Sequence, residues 1–337
     1  MPSTIEVSNL VKTYGDGTKA VKGISFSVNE GEFFGFLGPN GAGKSTTIKI
    51  LTTILTKTSG AASVAGLNVD TDSAKIRKII GVQNQDTVVD EDLTGRENMI
   101  LQGQLQQMHG PALNDRVNEL LKVVDLVDAA DKRAGFYSGG MKKRLDLATT
   151  LVHDPKILFL DEPTTGLDPQ SRAAIWAYLK RLNEQGITIF ITTQYLEEVD
   201  RLCRRLAIVD LGEIVAQGTP GELKQEIGAD SISLGFESSA MNGGDTRVLA
   251  REVLSKRFSD ISNIVNSDIG LTVYAKNGGY MVPEIVRAFD DAKIHLASIG
   301  VSSPTLDDVF LKHTGKRIRV EEVSSMNSRG MFGRRRR

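Results

Sequence analysis

An α/β fold with a helical insertion, followed by a smaller α+β unit, is what these 337 residues predict. Three observations carry that expectation. Phe33, Phe34, Phe36 and Leu37 form a short apolar run that ends in Gly38-Pro39-Asn40-Gly41-Ala42-Gly43-Lys44-Ser45-Thr46, after which Ile48, Leu51 and Leu55 recur at helical spacing. Ile157-Leu158-Phe159-Leu160 is a second such run and ends in Asp161-Glu162. Runs of this kind suit strands buried on both faces, which carry polar side chains beyond their ends. From about residue 229 the periodicity restarts in βαββαβ order, the split-βαβ arrangement of a small second domain.

The chain is long enough for two domains with a core in each. Its formal net charge of -1 argues against a dedicated nucleic-acid binder, which usually carries a basic excess, so no nucleic-acid partner is expected. The single cysteine, Cys203, excludes an intramolecular disulfide framework and suits a reducing compartment. No apolar run approaches the ~18 residues of a spanning helix. Met1-Pro2-Ser3-Thr4-Ile5-Glu6 lacks the basic-then-apolar order of a secretory signal, so the expectation is a cytosolic chain that does not cross a membrane alone.

Ile5 and Val7 alternate with polar residues, as do Ile24, Phe26 and Val28, and predict two half-exposed antiparallel strands ahead of the glycine-rich loop. Between them stands Tyr14, whose ring either stacks on a flat base or packs at a strand end. The loop fits G-x-x-x-x-G-K-[ST] in the strand-before, helix-after context that this phosphate-binding pattern requires. Gly38, Pro39, Asn40, Gly41, Ala42 and Gly43 curl the backbone so that N–H groups and the positive end of the helix face a polyphosphate. Lys44 is placed to reach the β- and γ-phosphates of ATP, and Ser45, followed by Thr46, to bring a hydroxyl to Mg²⁺.

Ser59-Gly60 marks a break, and 61–66 reads as a further strand. Ile79, Ile80 and Val82 make a buried strand closing in Gln83-Asn84-Gln85-Asp86, where an amide can ligate Mg²⁺ and hold an attacking water, a candidate role for Gln85. From Thr94 the pattern turns helical. Thr94 and Glu97 form a capping-box pair, and beyond Gly110-Pro111 the residues Leu113, Val117, Leu120, Leu121 and Val124 make a second amphipathic helix. The stretch from about 86 to 134 is thus mostly helical, and with the next helix the helical subdomain reaches about 145. Ser138 is a good N-cap for that next helix, and Gly139-Gly140 permit close backbone approach, which makes a second anion site. One site has no use for two phosphate cradles. The second makes sense if it closes over the γ-phosphate held by a second chain.

Asp161 is positioned to anchor Mg²⁺, and Glu162 to orient or deprotonate the hydrolytic water. Thr165-Gly166-Leu167-Asp168-Pro169 is a tight loop feeding a helix through Trp176, with Asp168 a candidate contact across a dimer seam and Trp176 a packing residue. Ile187, Ile189 and Ile191 form a strand closing in Thr192-Thr193-Gln194-Tyr195. Two more strands follow at 206–209 and 214–216, then a helix to near Gly228. In the second domain the strands are 231–236, 261–265, 271–275 and 294–299, and the helices 246–258 and 280–289. From 316 to Arg334-Arg335-Arg336-Arg337 the chain reads as a disordered basic tail.

Taken in order, GPNGAGKST, the Ser138-Gly139-Gly140 helix start, ILFLDE and GLDP resemble the nucleotide-binding subunit of ABC transporters over roughly 4 to 225, within an ATP-binding domain expected at 4–228. FGFLGPNGAGKSTT, LTGRENM, ITTQYLEEVD and PTLDDVFLKHTG narrow the resemblance to the daunorubicin-resistance type and extend it to about 315. The resemblance implies a P-loop ATPase domain with a mixed sheet and helical insertion, and a C-terminal βαββαβ domain at 229–315. It also implies a head-to-tail homodimer with two ATPs between each P-loop and the opposite signature helix. A separate membrane permease, docked between the Gln85 loop and the insertion, would export a drug-like or lipid-like substrate from the cytoplasmic side, and Asp90, Glu91 and Asp92, just before the Thr94 cap, either contact that partner or form a solvated acidic loop. An importer ATPase with a ligand-sensing C-terminal domain, and a mechanical ATPase outside transport, are the alternatives. Two departures stand out. Tyr137 and Met141 occupy the ends of the signature, and Gln194 stands where most of the family has a histidine contacting the γ-phosphate. An amide can donate a hydrogen bond but cannot become cationic, so Gln194 is expected to sense that phosphate while Glu162 remains the principal catalytic group.

Overall fold

The computed structural model describes residues 3–227, 230–236, 243–275, 278–302 and 304–316. The expected tail from 317 onward, with its four final arginines, lies outside the described residues.

The first sheet is antiparallel: β1 (Ser3–Thr13) pairs with β2 (Lys19–Asn29) on one side and β4 (Ser59–Val64) on the other, and β5 (Leu67–Asn68) forms the edge. Ser59 and Gly60 open β4 rather than break the chain. Gly60 sits at a register shift with φ +87°, where a Cβ would run into the Asn9 carbonyl, so a bulge explains the glycine.

The second sheet has β3 (Phe33–Leu37) near its middle, beside β8 (Thr188–Thr193) and β9 (Arg205–Asp210). β7 (Ile157–Asp161) and β6 (Ile80–Gln83) continue outward from β8, and β10 (Glu213–Gly218) pairs antiparallel at the other edge. All other pairs are parallel. Period-two alternation sorts each strand onto two cores. Leu37, Leu158, Leu160, Ile189, Ile191 and Ile208 face one, and Phe34, Phe36, Ile157, Phe159, Phe190 and Val209 the other. Phe190 centres the second core, with its ring 5.5–5.8 Å from those of Phe26, Phe34, Phe36 and Phe159. Because Phe26 comes from β2, this cluster binds the two sheets to each other.

The helical insertion covers the first core face with α3 (Gly95–Leu105), α4 (Gly110–Val123) and α5 (Gly139–Thr149). The Thr94–Glu97 capping box forms as expected, and Pro111 sits in the first turn of α4, where its missing N–H costs nothing. Around the sheets lie α1 (Lys44–Leu51), α2 (Ser73–Ile79), α6 (Pro169–Glu184), α7 (Leu196–Leu202) and α8 (Pro220–Ile227). Ile79 therefore ends a helix, and the strand begins at Ile80. Neither α2 nor α7 was legible from periodicity, since each spans about two turns.

The third sheet orders β12 (Ile261–Ser267), β13 (Gly270–Ala275), β11 (Asp230–Phe236) and β14 (Leu296–Ser302), all antiparallel. With α9 (Gly243–Arg257) and α10 (Gly278–Asp291) it encloses its own core around Leu234, Leu254, Val273, Ile285 and Phe289. The last strand starts two residues later than Ile294. A further helix, α11 (Leu306–Thr314), opens on a Thr305–Asp308 capping box and packs on α8. Its Leu306, Val309 and Phe310 join the large first core, and Tyr274 of β13 donates to Asp308 at 3.2 Å. Lys316 is anchored, its N–H donating to Thr314 Oγ1 at 3.3 Å. Among the described residues no helix is long and apolar enough to cross a membrane.

Phe190 makes the sharpest stability prediction. Phe190→Ala should cost about 3–5 kcal/mol, as large-to-small changes of buried aromatics do, read as a lowered urea midpoint. A midpoint unchanged from wild type would mean that the cluster does not join the sheets.

Candidate active site

The parallel order β3-β8-β7-β6 lines up four strand ends, and each carries one of the expected site segments. The glycine-rich loop follows β3, Gln194 follows β8, Asp161 and Glu162 end β7, and Gln85 lies past β6. Ligands of open α/β sheets collect at this edge.

In the loop, Gly43 caps α1 at φ +97°, with the Ala20 carbonyl where a Cβ would be, and a Cβ on Gly38 would meet the Val209 carbonyl. No larger residue fits either position. Lys44 is buried and folds over the loop, donating to the carbonyls of Gly38 at 2.8 Å and Pro39 at 3.0 Å. Its Nζ also lies 3.0 Å from Glu162 Oε1, so the loop lysine and the strand-end carboxylate form a buried ion pair. Ser45 is half-buried in the first turn of α1. Tyr14 is more than one third exposed, with its hydroxyl 3.2 Å from Thr46 Oγ1, which holds the ring beside the loop.

Asp161 accepts a short hydrogen bond from Thr192 Oγ1. Glu162 has φ +50°, a left-handed conformation that costs a glutamate of order 1–3 kcal/mol. Its N–H is fixed by the Thr192 carbonyl at 3.0 Å, and Thr165 Oγ1 donates to its Oε2 at 3.3 Å. Gln194 is buried, and its Oε1 has no hydrogen-bond partner among the described residues. A buried, unpaired acceptor costs about 1–3 kcal/mol and marks a group that meets water or a ligand. Gln85 is exposed, and its backbone carbonyl accepts from Lys143 Nζ at 2.9 Å.

Ser138 caps α5, its Oγ accepting from the Met141 N–H at 3.2 Å. Gly139 faces open space, whereas a Cβ on Gly140 would come within 2.6 Å of Ser171 Oγ. Asp168 caps α6, accepting from Ser171 N at 2.9 Å and Oγ at 2.6 Å, and those bonds hold its carboxyl below the usual range. No hydrogen bond among the described residues joins 138–140 to the loop at 38–46.

Sequence reasoning missed a buried carboxylate behind this edge. Glu198 of α7 accepts from Thr164 Oγ1 at 3.0 Å and from Trp176 Nε1 at 2.8 Å, so Trp176 is a hydrogen-bond donor as well as a packing residue. Burial pushes the Glu198 carboxyl above its ordinary value, against the opposing effect of its hydrogen bonds. Its helix is only seven residues long, too short for an apolar stripe to single it out in the sequence. Also missed were Lys143 and Asp146, charged residues interrupting the apolar pattern of α5. Burial lowers the first and raises the second.

Residues 21–165 match the profile of the ABC transporter family. The daunorubicin resistance ATP-binding protein DrrA2 of Streptomyces coeruleorubidus is 40% identical over 320 residues, covering 95% of this chain and 97% of that protein. The doxorubicin resistance ATP-binding protein DrrA of Mycobacterium tuberculosis is 41% identical over 311 residues, 92% of this chain and 93% of its own. Among solved structures, the dimeric ATP-binding cassette MJ0796 in a post-hydrolysis state with ADP and phosphate superposes with TM-score 0.59 at 28% identity, covering 64% of this chain and 98% of that one.

Glu198 yields a pH prediction. A carboxyl raised on folding contributes stability below the unfolded value, near 4.5, and loses it as pH climbs through the folded value. Glu198→Gln should therefore gain in melting temperature over wild type between pH 5 and pH 8. A gap that stays constant across that range would show that Glu198 does not change its protonation on folding there.

Proposed function

The chain belongs to the ATP-binding proteins of ABC transporters, and from that membership we propose that it energises an exporter, hydrolysing ATP to drive a drug-like or lipid-like molecule through a separate membrane permease. The buried Lys44–Glu162 pair is the observation that carries the chemical part of this reading. It puts the phosphate-binding cation and the water-activating carboxylate on one another. Entry of the γ-phosphate offers Lys44 a second anion, and the Glu162 carboxylate is then released to take a proton from water. Glu162 is already turned toward the site by its left-handed backbone, so no backbone rearrangement is needed to present it.

Gln194 supplies an amide to the transferred phosphoryl oxygens, and its orphaned Oε1 suits a contact with the attacking water. Tyr14 stacks on the base. The Ser45 hydroxyl, Asp161 and Gln85 fit a Mg²⁺ site, because this ion takes few protein ligands and completes its shell with water and phosphate. Bound there, Mg²⁺ would neutralise charge developing between the β- and γ-phosphates. Ser138, Gly139 and Gly140 make a capped helix start that is open at Gly139. In a homodimer they close over the γ-phosphate of the other copy, and the exposed face of Asp168 lies at that seam.

The permease docks in a groove of about 300 Å³ between the insertion and the sheet edge, lined by Ile54, Arg77, Asn84, Gln102, Gln106 and His153. Val88 also lines it and is 73% exposed, and Leu105, on the neighbouring α3, is 70% exposed, an apolar rim for a partner helix. Docking there keeps the protein peripheral, on the cytoplasmic side of the membrane. Glu91 pairs with Lys142 of α5, so the acidic 90–92 loop is held to the insertion.

Glu162→Gln should reduce ATP turnover by about 10²–10⁴-fold, the usual contribution of a positioned general base, with ATP binding retained. Near-normal turnover would remove Glu162 from that role. Gln194→His should keep or raise the rate, and a collapse would show that the site is built for the amide. For transport, the chain co-reconstituted with its permease should drive ATP-dependent accumulation of daunorubicin in inverted vesicles. Val88→Asp/Leu105→Asp should abolish accumulation and membrane recruitment but leave the ATPase rate of the free chain intact. Unimpaired recruitment would exclude the groove.

A further inference from the structure

We propose that Lys143 and Asp146 are positioning residues that clamp the 83–88 loop to α5, so that the loop of one ATP site sets the helix start presented to the other; this rests on the reading of 138–140 as a half-site for a second copy. The loop joins β6 to the insertion, and its residues 84–88 are all exposed. A segment of that kind ordinarily has freedom to move.

Here it is tied along its length to one helix. Asp146 uses both carboxylate oxygens: Oδ2 accepts from Gln83 Nε2 at 2.9 Å, where the loop begins, and Oδ1 from the Val88 N–H at 3.2 Å, where it ends. Between these points Lys143 Nζ donates to the Gln85 carbonyl at 2.9 Å and the Asn84 carbonyl at 3.5 Å. The two residues are three apart, hence on one face of α5, and each is about 95% buried. Burying an ammonium and a carboxylate is a poor way to stabilise a core, since an apolar pair of similar volume serves as well or better. What charged groups supply, and apolar ones cannot, is a fixed geometry to particular backbone atoms.

The mechanical consequence follows from the stiffness of a helix. Gly140 precedes Lys143 by three residues, less than one turn, so any displacement of the loop that moves Lys143 moves Gly140 as well. At its other end the loop starts one residue pair from the β7 carboxylates, Gln83 facing Leu160 in the parallel register. A shift of Gln85 on occupation of the site is thus passed to Ser138-Gly139-Gly140 of the same chain, and by them to the second chain's phosphate.

The test uses the full chain carrying Glu162→Gln, titrated with mant-ATP for binding and with ATP for dimerisation by light scattering. Adding Lys143→Met/Asp146→Leu, a volume-matched apolar pair that should fold, is expected to leave mant-ATP affinity unchanged. It should raise the ATP concentration for half-dimerisation by about tenfold or more, an ordinary size for coupling between sites. Lys143→Arg, which can still donate to both carbonyls, should behave as the parent, whereas Lys143→Met alone should not. A role in stability only would lower melting temperature and mant-ATP affinity together, and that outcome overturns the clamp. So does a double variant that dimerises at the parent's ATP concentration. Failure of the parent itself to bind mant-ATP or to dimerise would instead overturn the half-site reading on which the clamp depends.

Discussion

The strands of the parallel sheet are buried and mostly apolar on both faces, because helices cover one side and the antiparallel sheet, with α1 and α2, covers the other. A polar side chain placed within such a strand would lose its water with nothing to replace it. The chemistry is therefore displaced to the last residues of the strands and those just past them, and Asp161 at the end of β7 is matched by the Thr192 hydroxyl of β8. The order β3-β8-β7-β6 then decides which groups meet: the loop lysine, the Gln194 amide, two carboxylates and the 83–88 loop stand in consecutive positions along one edge. Burial sets the architecture, and the architecture assembles the site.

Four acidic side chains behind or at that edge are handled differently. Asp161 is held through one oxygen by a threonine hydroxyl. Glu162 is paired with Lys44 and carries backbone strain that the surrounding hydrogen bonds sustain. Glu198 is enclosed by Thr164 and Trp176 and pushed toward its neutral form, which suits a structural bolt between α6, α7 and the loop that follows β7. Asp146 faces the 83–88 loop with both oxygens engaged. Their neighbours, rather than their type, separate a reacting carboxylate from one that holds loops in place.

The features that sequence displayed best were those written in adjacent residues. The loop from Gly38 to Thr46, the run into Asp161-Glu162, and the Thr94–Glu97 and Ser138 caps each depend on a few consecutive positions, and local physics is enough to place them. The βαββαβ order was visible for the same reason. What stayed hidden depends on partners far along the chain. Lys143 looks like a solvated basic residue until the 83–88 loop is folded over it, and Glu198 looks like one of many helix glutamates until Trp176 arrives from α6. Gly60 read as a break because its bulge is made against β1, about 50 residues upstream. The short helices α2, α7 and α11 offer too few turns for a stripe to emerge, and the Thr305–Asp308 box that opens α11 shows itself only in the folded chain.

That last helix has a consequence for how the protein comes into being. Leu306, Val309 and Phe310 complete a core whose other members, Leu223 and Ile227 among them, are synthesised long before. Chains emerge from the ribosome N-terminus first. The nucleotide domain must therefore wait with an uncovered apolar seam while the intervening sheet is made and folded. A chain broken off anywhere ahead of α11 would keep that seam exposed, and would present itself to chaperones and proteases as unfinished even with every ATP-site residue in place.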